Sequence, residues 1–512
     1  MEESSISAEE MKALELNAEY FGISRLQMME NAGRCIAQEI AARFSGKNTR
    51  VAIFCGLGGN GGDGFVAARH LLTQGFKVIL VIAGNPSRIS DDAARQNWEA
   101  LKNLKDCLTV YEVTDSSALP DVRAEVIVDA LVGIGLKGRV RSPILPLIGK
   151  INEMQGFCLA VDIPSGVDAD TGEVHGEAVR ANLTITFHRM KLGLEKAIEY
   201  TGEIIVRDIG VPAQLEKLAG PGDVFLVRVD RPLEAHKGDF GRLFIIGGSQ
   251  EFTGAPALAA LAALRVGVDL VYVAAPKEAA YTIASMSPNL ITIKLEGSHL
   301  NPNNVPMIRR YLEKVNAVIM GPGLGLHPET KEAVKILLET LTALKLPLLL
   351  DADGLKAYAE INQPFEIPTV LTPHAGEYRI LTRKTLSENL DEKTLEIRET
   401  AARLNAVILL KGNVDIISDG QRLKLNYTGN PGMTVGGTGD ILSGIVGAFL
   451  AHQADPFEAA VAGAFVNGVA GDFAVEKLGY HIVPTDILEW IPKALDDPMS
   501  HLQVRRKLAR RR

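Results

Sequence analysis

Residues 429–444 read GNPGMTVGGTGDILSG: six glycines surround one carboxylate, Asp440, just ahead of an apolar run with helical character. A helix N-terminus carries unpaired amides and a partial positive charge, and glycines ahead of it let backbone approach a phosphate without obstruction by Cβ. The GGTGD stretch therefore predicts an anion hole formed by the amides of Gly436 to Gly439. Asp440, at the positive end of the dipole, is expected to stay ionised near neutral pH and to take the proton of a hydroxyl that attacks phosphorus. On this reading the glycines stabilise charge on the moving phosphoryl group while the acid activates the acceptor. An aspartate that only caps the helix is the plain alternative. No G-x-x-x-x-G-K-[ST] motif occurs in the chain, so nucleotide chemistry has to use this non-P-loop solution.

Other polar residues fall at the ends of apolar runs. In LLKGNVDII, Lys411 and Gly412 close one run, and Asn413, Val414 and Asp415 form a tight connection to the next. Lys411 is placed either to reach a nucleotide phosphate or to lie solvated. In LTPHAGE, His374 precedes Glu377 by one helical turn and either contacts a substrate or caps a helix. Gly247 and Gly248 end another run, and the small-residue helix expected from about Gly254 and Ala255 leaves room for a planar ligand, or simply packs closely.

Near the N-terminus, CGLGGNGGDGF follows a strand-like run, and Gly56, Gly58 and Gly61 fit G-x-G-x-x-G. The next run ends VIAGNPS, without the acid that grips a ribose 2′-hydroxyl, which disfavours an ordinary NAD-dependent dehydrogenase. Asn60, Asp129 and Ser165 together offer an amide, a carboxylate and a hydroxyl, a hard-oxygen set suited to an alkali cation or Mg²⁺. GIGLKGR, from Gly133 to Arg139, is suited to fold over a phosphate with Lys137 and Arg139 as countercharges. Strand-end aspartates that merely cap turns are the alternative for Asp129 and Asp162.

These residues need strands to aim them. Short β-branched runs alternate with helical stretches at 51–55, 77–83, 126–131, 158–164 and 203–210, the pattern of a parallel sheet covered by helices. It restarts after AQLEKLAGPGD (213–223) with runs at 242–248, 270–276, 317–323, 346–354, 369–374 and 406–412. Open α/β sheets bind ligands at strand carboxyl ends, where the polar residues above fall. The expected fold class is α/β: an N-terminal Rossmann-like three-layer sandwich over 1–218, a second three-layer α/β/α domain over 219–500, and a basic tail at 501–512 read as solvated.

The 512 residues are 46% hydrophobic and 23% charged with a formal net charge of -8, which argues against general nucleic-acid affinity. The four cysteines show no C-x-x-C pair or metal-like spacing, so a reducing cytoplasm is expected rather than a disulfide framework. The acidic N-terminus does not read as a signal peptide, and no apolar run reaches the length of a membrane span.

Taken in order, HKGDFG, GGS with TGAP, GPGLG, DADGL, LTPHAGE, KG…DII and NPGMTVGGTGD resemble the carbohydrate-kinase-domain dehydratases that act on hydrated NADH and NADPH. The resemblance implies a ribokinase-like fold, with hydrate binding at Ala255, Gly323, His374 and Asp440. It places nucleotide binding at Lys411, Gly412, Asn413, Val414, Asp415 and Gly439. It also implies ADP with Mg²⁺ as phosphoryl donor. The first 215 residues or so, with LQMMENAG, CGLGGNGGDG, VIVDALVGIGLKGR and AVDIPSG, resemble the NAD(P)H-hydrate epimerase domain. That resemblance implies K⁺ at Asn60, Asp129 and Ser165. It implies hydrate binding at Gly59, Asn60, Gly61, Gly62 and Asp63, at Gly133, Ile134, Gly135, Leu136, Lys137, Gly138 and Arg139, and at Asp162, which is expected to transfer the proton at the C6 hydroxyl. Family members commonly carry NNGGDG, whereas Gly59 here leaves only a backbone amide at that position.

The reading is a bifunctional metabolite-repair enzyme that epimerises R and S hydrates and dehydrates the S form at the expense of ADP. Its ligands are NADHX, NADPHX and ADP, with no nucleic acid or membrane partner, and a homo-oligomer is expected. A ribokinase-like small-molecule kinase with a fused nucleotide-binding domain is the alternative enzyme; a nucleotide-sensing first domain is the non-enzymatic one.

Overall fold

The computed structural model describes residues 5 to 509 except 105, 116–118 and 137. The chain forms two compact units, residues 1–213 and 214–512. No helix among the described residues is long and apolar enough to cross a membrane.

The first unit is built on seven strands: β1 (Arg50–Cys55), β2 (Lys77–Ile82), β3 (Thr109–Glu112), β4 (Val126–Ala130), β5 (Phe157–Val161), β6 (Leu183–Phe187) and β7 (Glu203–Arg207). They lie in the order β3-β2-β1-β4-β5-β6-β7, and every pairing is parallel. Val51, Ala52, Ile53, Phe54 and Cys55 are fully buried, because a parallel strand is covered by helices on both faces. The strand order reverses between β1 and β4, and the crevice outside such a switch point is where these sheets hold ligands. β3 and β6 escaped the sequence pattern. β3 is a four-residue, largely exposed edge, and in β6 threonines replace apolar residues, Thr184 donating to the Thr201 carbonyl at 2.7 Å.

In the second unit, β8 (Arg242–Ile246), β9 (Leu270–Pro276), β10 (Ile291–Leu295), β11 (Ala317–Met320), β12 (Leu348–Leu350), β13 (Thr369–Leu371) and β14 (Val407–Leu410) are mutually parallel. β15 (Asp415–Ser418) and β16 (Leu423–Asn426) extend the sheet antiparallel, giving the order β10-β9-β8-β11-β12-β13-β14-β15-β16. Two apolar helices, Thr438–Ala451 and Pro456–Leu478, are buried over most of their circumference, as sequences without a polar face must be. Small residues set their approach: a Cβ at Gly444 would lie 2.2 Å from the Ala259 carbonyl oxygen, and one at Gly447 would lie 2.5 Å from Ile319. The helix Thr438–Ala451 is thereby pressed against the helix Gly254–Val266 and the sheet, which fixes where its N-terminus points.

The basic tail expected over 501–512 keeps Arg505, Arg506 and Lys507 exposed, as a solvated segment should, but is anchored at its start. Residues His501–Ala509 form a helix, with His501 buried and its Nε2 2.9 Å from Asp472 Oδ2. The rings of Phe465 and Phe473 meet the His501 ring edge to face. Burying one imidazole and Val504 anchors a segment whose charges still face water.

Candidate functional site

In the second unit the carboxyl ends of β12, β13 and β14 deliver Asp351, His374 and Lys411. Asp351 is buried; its Oδ1 accepts from Lys411 Nζ at 3.0 Å and its Oδ2 from Ser443 Oγ at 2.6 Å. Lys411 Nζ also lies 3.8 Å from Glu377 Oε2. Lys411 is thus not the solvated lysine that the sequence allowed: it is ion-paired at the strand end. Burial opposes its charge, but Asp351, Glu377 and Asp440 outweigh burial and hold the ammonium above its ordinary range. Burial likewise opposes charge on Asp351, yet Lys411, Ser443 and Thr372 hold its carboxyl below the usual value.

The lysine lies against the glycine loop: a Cβ at Gly439 would come within 3.4 Å of Lys411 Nζ. Gly437, with φ +105, is the helix N-cap, and the left-handed turn there delivers the chain into the helix. Upstream, Asn430 donates to Asp472 Oδ1 at 2.7 Å, Gly429 N–H donates to Asp472 Oδ2 at 3.1 Å, and Thr438 Oγ1 donates to the Met433 carbonyl at 3.0 Å. These bonds hold the loop while a Cβ at Gly436 would meet nothing within 4 Å, so the surface beside that residue is open.

Asp440 occupies the first turn of this helix without capping it. The expectation that the dipole keeps it fully ionised near neutral pH is not met. Desolvation first, then Asp351 and Glu377, push its carboxyl up to about 7, against the lowering effect of Lys411. A carboxyl poised there suits general-base work near neutral pH. His374 is the cap it was allowed to be: its Nδ1 accepts from Gly376 N–H at 3.0 Å and Glu377 N–H at 3.3 Å, while its Nε2 lies 3.5 Å from Glu377 Oε1. Glu377 closes the capping box by accepting the His374 N–H at 3.0 Å. Gly323 and Ala255 adjoin one another, a Cβ at 323 falling 3.6 Å from Ala255 Cβ and 2.9 Å from Phe252. Gly412 N–H donates to Asp415 Oδ1 at 3.0 Å, closing the turn from β14 to β15, while burial raises Asp415 to about 6.

In the first unit the glycines divide by role. A Cβ at Gly56 would lie 1.9 Å from the Leu131 carbonyl oxygen, and one at Gly61 2.0 Å from the Gly56 carbonyl oxygen, so both are required by close backbone approach. Gly58 and Gly59 meet nothing within 4 Å and leave the mouth of the helix Gly59–Thr73 open. Across the switch point, Gly133 is adjacent to two predicted residues: a Cβ there would be 3.2 Å from Asn60 Oδ1 and 3.5 Å from Asp162 Oδ2. Asp129 is fully buried; its Oδ1 accepts from Ser165 Oγ at 2.6 Å and its Oδ2 from Ser165 N–H at 2.7 Å. Burial drives Asp129 up to about 6 despite the Ser165 and Leu131 bonds. Asn60 Nδ2 is buried without a hydrogen-bond partner. The Asp129 carboxylate, Ser165 Oγ and the Val132 carbonyl, 3.1 Å from Ser165 Oγ, form an oxygen-rich pocket that fits an alkali cation. Lys137 lies outside the described residues.

Lys191 was missed by sequence reasoning. It is 1% exposed, and its Nζ sits 2.6 Å from Asp162 Oδ1, 2.8 Å from the Phe187 carbonyl and 3.1 Å from Thr186 Oγ1. Thr186 Oγ1 also donates to Asp162 Oδ1 at 3.1 Å. Asp162 itself has φ +66, a conformation costing a non-glycine residue about 1 kcal/mol or more, so the surroundings must hold it there. Glu15, from the helix Ala8–Tyr20, and Asp63 share this cluster: desolvation and then Asp162 push Glu15 up to about 7 and Asp63 well up. The only signal for Lys191 was a lone lysine in FHRMKLGL, a residue type that is usually solvent-facing.

Two largely parallel sheets, each with a glycine-opened helix mouth beside titratable strand-end residues, define a two-unit α/β enzyme for phosphate-bearing ligands. The family described as NAD(P)H-hydrate dehydratase matches residues 243–493, and that described as YjeF-related protein N-terminus matches residues 25–193. The chain is 45% identical over 497 residues to the bifunctional NAD(P)H-hydrate repair enzyme of Pyrobaculum aerophilum, covering 96% of this chain and 98% of that one. It is 43% identical over 495 residues to that of Methanothermobacter thermautotrophicus, covering 95% and 94%. Among solved structures, a ribokinase-like superfamily protein from Enterococcus faecalis is 25% identical, covers 55% of this chain and 95% of its own, and superposes with a TM-score of 0.48. The chain belongs to the family of bifunctional NAD(P)H-hydrate repair enzymes.

Proposed function

We propose that the first unit interconverts the R and S hydrates of NADH and NADPH and that the second dehydrates the S form with ADP, releasing AMP and phosphate. The observation that carries the second assignment is the meeting of Asp440, Lys411 and the open glycine loop at one helix mouth. Asp440 takes the proton of the C6 hydroxyl, whose oxygen forms a bond to the terminal phosphorus of ADP as the bond to the bridging oxygen breaks. The Gly436–Gly439 amides and the Lys411 charge stabilise the moving phosphoryl group. Mg²⁺ held on the nucleotide phosphates would supply further positive charge. Phosphate then leaves C6 with the push of the ring-nitrogen lone pair, and loss of a C5 proton restores the dihydronicotinamide. Residues 411–415 line the nucleotide side, and Ala255, Gly323 and His374 the hydrate side.

In the first unit, Asp162 Oδ2 faces the Gly133 backbone while Oδ1 is held by Lys191 and Thr186, so one carboxylate oxygen is left for proton transfer at the C6 hydroxyl. Asn60, Asp129 and Ser165 would hold K⁺, which adds positive potential for the hydrate phosphates. The open helix mouth at Gly59 and the 133–139 loop supply the remaining hydrate contacts. Four free cysteines fit a reducing cytoplasm.

The test is absorbance at the dihydronicotinamide band after mixing enzyme, Mg²⁺ and ADP with racemic hydrate. The parent should convert all of it, Asp440→Asn none, and Asp162→Asn about half before slow spontaneous epimerisation. Absence of conversion with either ADP or ATP overturns the proposal and directs attention to a stable phosphorylated product.

A further inference from the structure

Outside both sites, the loops that follow β10 and β11 bring three ligating side chains together. His299 lies in the first loop; His327 and Glu329 end the second and open the helix Pro328–Leu344. One nitrogen of each imidazole and one oxygen of Glu329 lie within 4.8 Å of one another. His299 Nε2 is 2.6 Å from Glu329 Oε2, and His327 Nδ1 is 3.8 Å from the same oxygen. The two rings face each other with centroids 3.7 Å apart and an interplanar angle of 31°. Ser298 Oγ, 3.2 Å from His299 Nδ1, supplies the outer partner that fixes a ligating imidazole's orientation.

We infer that His299, His327 and Glu329 form a binding site for a divalent transition metal such as Zn²⁺, Co²⁺ or Ni²⁺. Two imidazole nitrogens and a carboxylate oxygen are the donor set for such borderline ions, and three protein ligands leave further positions for water. Metal–ligand bonds of about 2.0–2.1 Å set tetrahedral ligand atoms about 3.3 Å apart. Rotation of partly exposed side chains reaches that spacing: the 2.6 Å contact opens and the 3.8 Å contact closes. Coordination through His327 Nδ1 would replace the long 3.3 Å contact it accepts from Glu329 N–H. Two parallel-strand connections would be cross-linked at the carboxyl edge of the sheet. One of them runs from Gly321 through Gly323 to Gly325, where the Gly325 N–H already donates to Asp353 Oδ2 at 2.9 Å. The bound ion would clamp that loop; metal binding itself is independent of the hydrate-repair proposal.

The experiment uses the tag-free full-length chain, stripped with chelator and titrated with Co²⁺ by equilibrium dialysis and visible absorption, then with Cu²⁺ for electron paramagnetic resonance. One equivalent should bind with a dissociation constant in the micromolar range, and the Cu²⁺ spectrum should show coupling to two nitrogens. His299→Ala and His327→Ala should each weaken binding at least tenfold, and Glu329→Gln should weaken it less. Circular dichroism and retained dehydratase activity check that these partly exposed replacements leave the fold intact. Equal binding by the parent and the His299→Ala/His327→Ala double variant overturns the inference. So does failure of the parent to retain any Co²⁺ at about 100 μM, which would leave His299 and Glu329 as an ion pair only.

Discussion

Asp440→Asn should abolish dehydration and, at the same time, stabilise the second unit in a pH-dependent way. The half-buried carboxyl has its pKa raised from 3.8 to about 7 in the folded unit. The unfolded chain therefore releases this proton before the folded one does, and folded stability falls as pH rises from about 3.8 through 7, then levels off. Each pH unit in that window is worth about 1.4 kcal/mol. At pH 5 the wild-type acid costs about 2 kcal/mol relative to a neutral side chain, and at pH 8 about 4 kcal/mol. The benefit of asparagine should thus grow by about 2–3 kcal/mol between the two pH values. The lost charge–dipole attraction, about 0.3–1 kcal/mol, trims the gain without reversing it. For a unit of this size the difference appears in calorimetry as a Tm gain about 4 °C larger at pH 8 than at pH 5. In wild-type kinetics the same group predicts an acid limb in kcat/KM near pH 7, with the value at pH 6 about tenfold below that at pH 8. A Tm gain that is the same at both pH values, together with a flat kcat/KM from pH 6 to 8, would refute the reasoning.

Three further outcomes follow from the geometry. Lys411→Met leaves the buried Asp351 and Glu377 without their cation, so the second unit should lose about 3–5 kcal/mol in denaturant titrations; the acid limb of dehydration should also move above pH 7 as Asp440 loses the one partner that lowers it. Lys191→Met removes the ammonium from Asp162 Oδ1, and racemic hydrate should stall near half conversion while the S hydrate is still consumed at the wild-type rate. Gly436→Ala places a Cβ in open space, so Tm should hold within about 1 °C while nucleotide affinity, read by calorimetry, falls at least tenfold.

The sequence determined the two-sheet α/β organisation because parallel strands buried on both faces must be continuously apolar, as in VAIFC and AVIM. It determined the anion-binding helix mouth because only glycine tolerates the turn at Gly437 and leaves the face at Gly436 open. Strand ends were legible too, since an apolar run that stops at Asp129, Asp351 or Lys411 stops where a ligand-facing loop begins. Edge strands were not legible: β3 is exposed, and β10 carries Lys294 with Ile291 facing solvent, so burial leaves no clean period there. Charge states were decided by the tertiary structure alone. Asp440 looked like an acid at a favourable dipole, but its pKa depends on desolvation and on Asp351 and Glu377, which lie 89 and 63 residues away in the chain. Lys411 could be read as solvated and Lys191 drew no reading at all, and only the fold sets each against a specific carboxylate. Local sequence sets backbone and period; which charges meet in a low-dielectric pocket is a property of strands brought side by side.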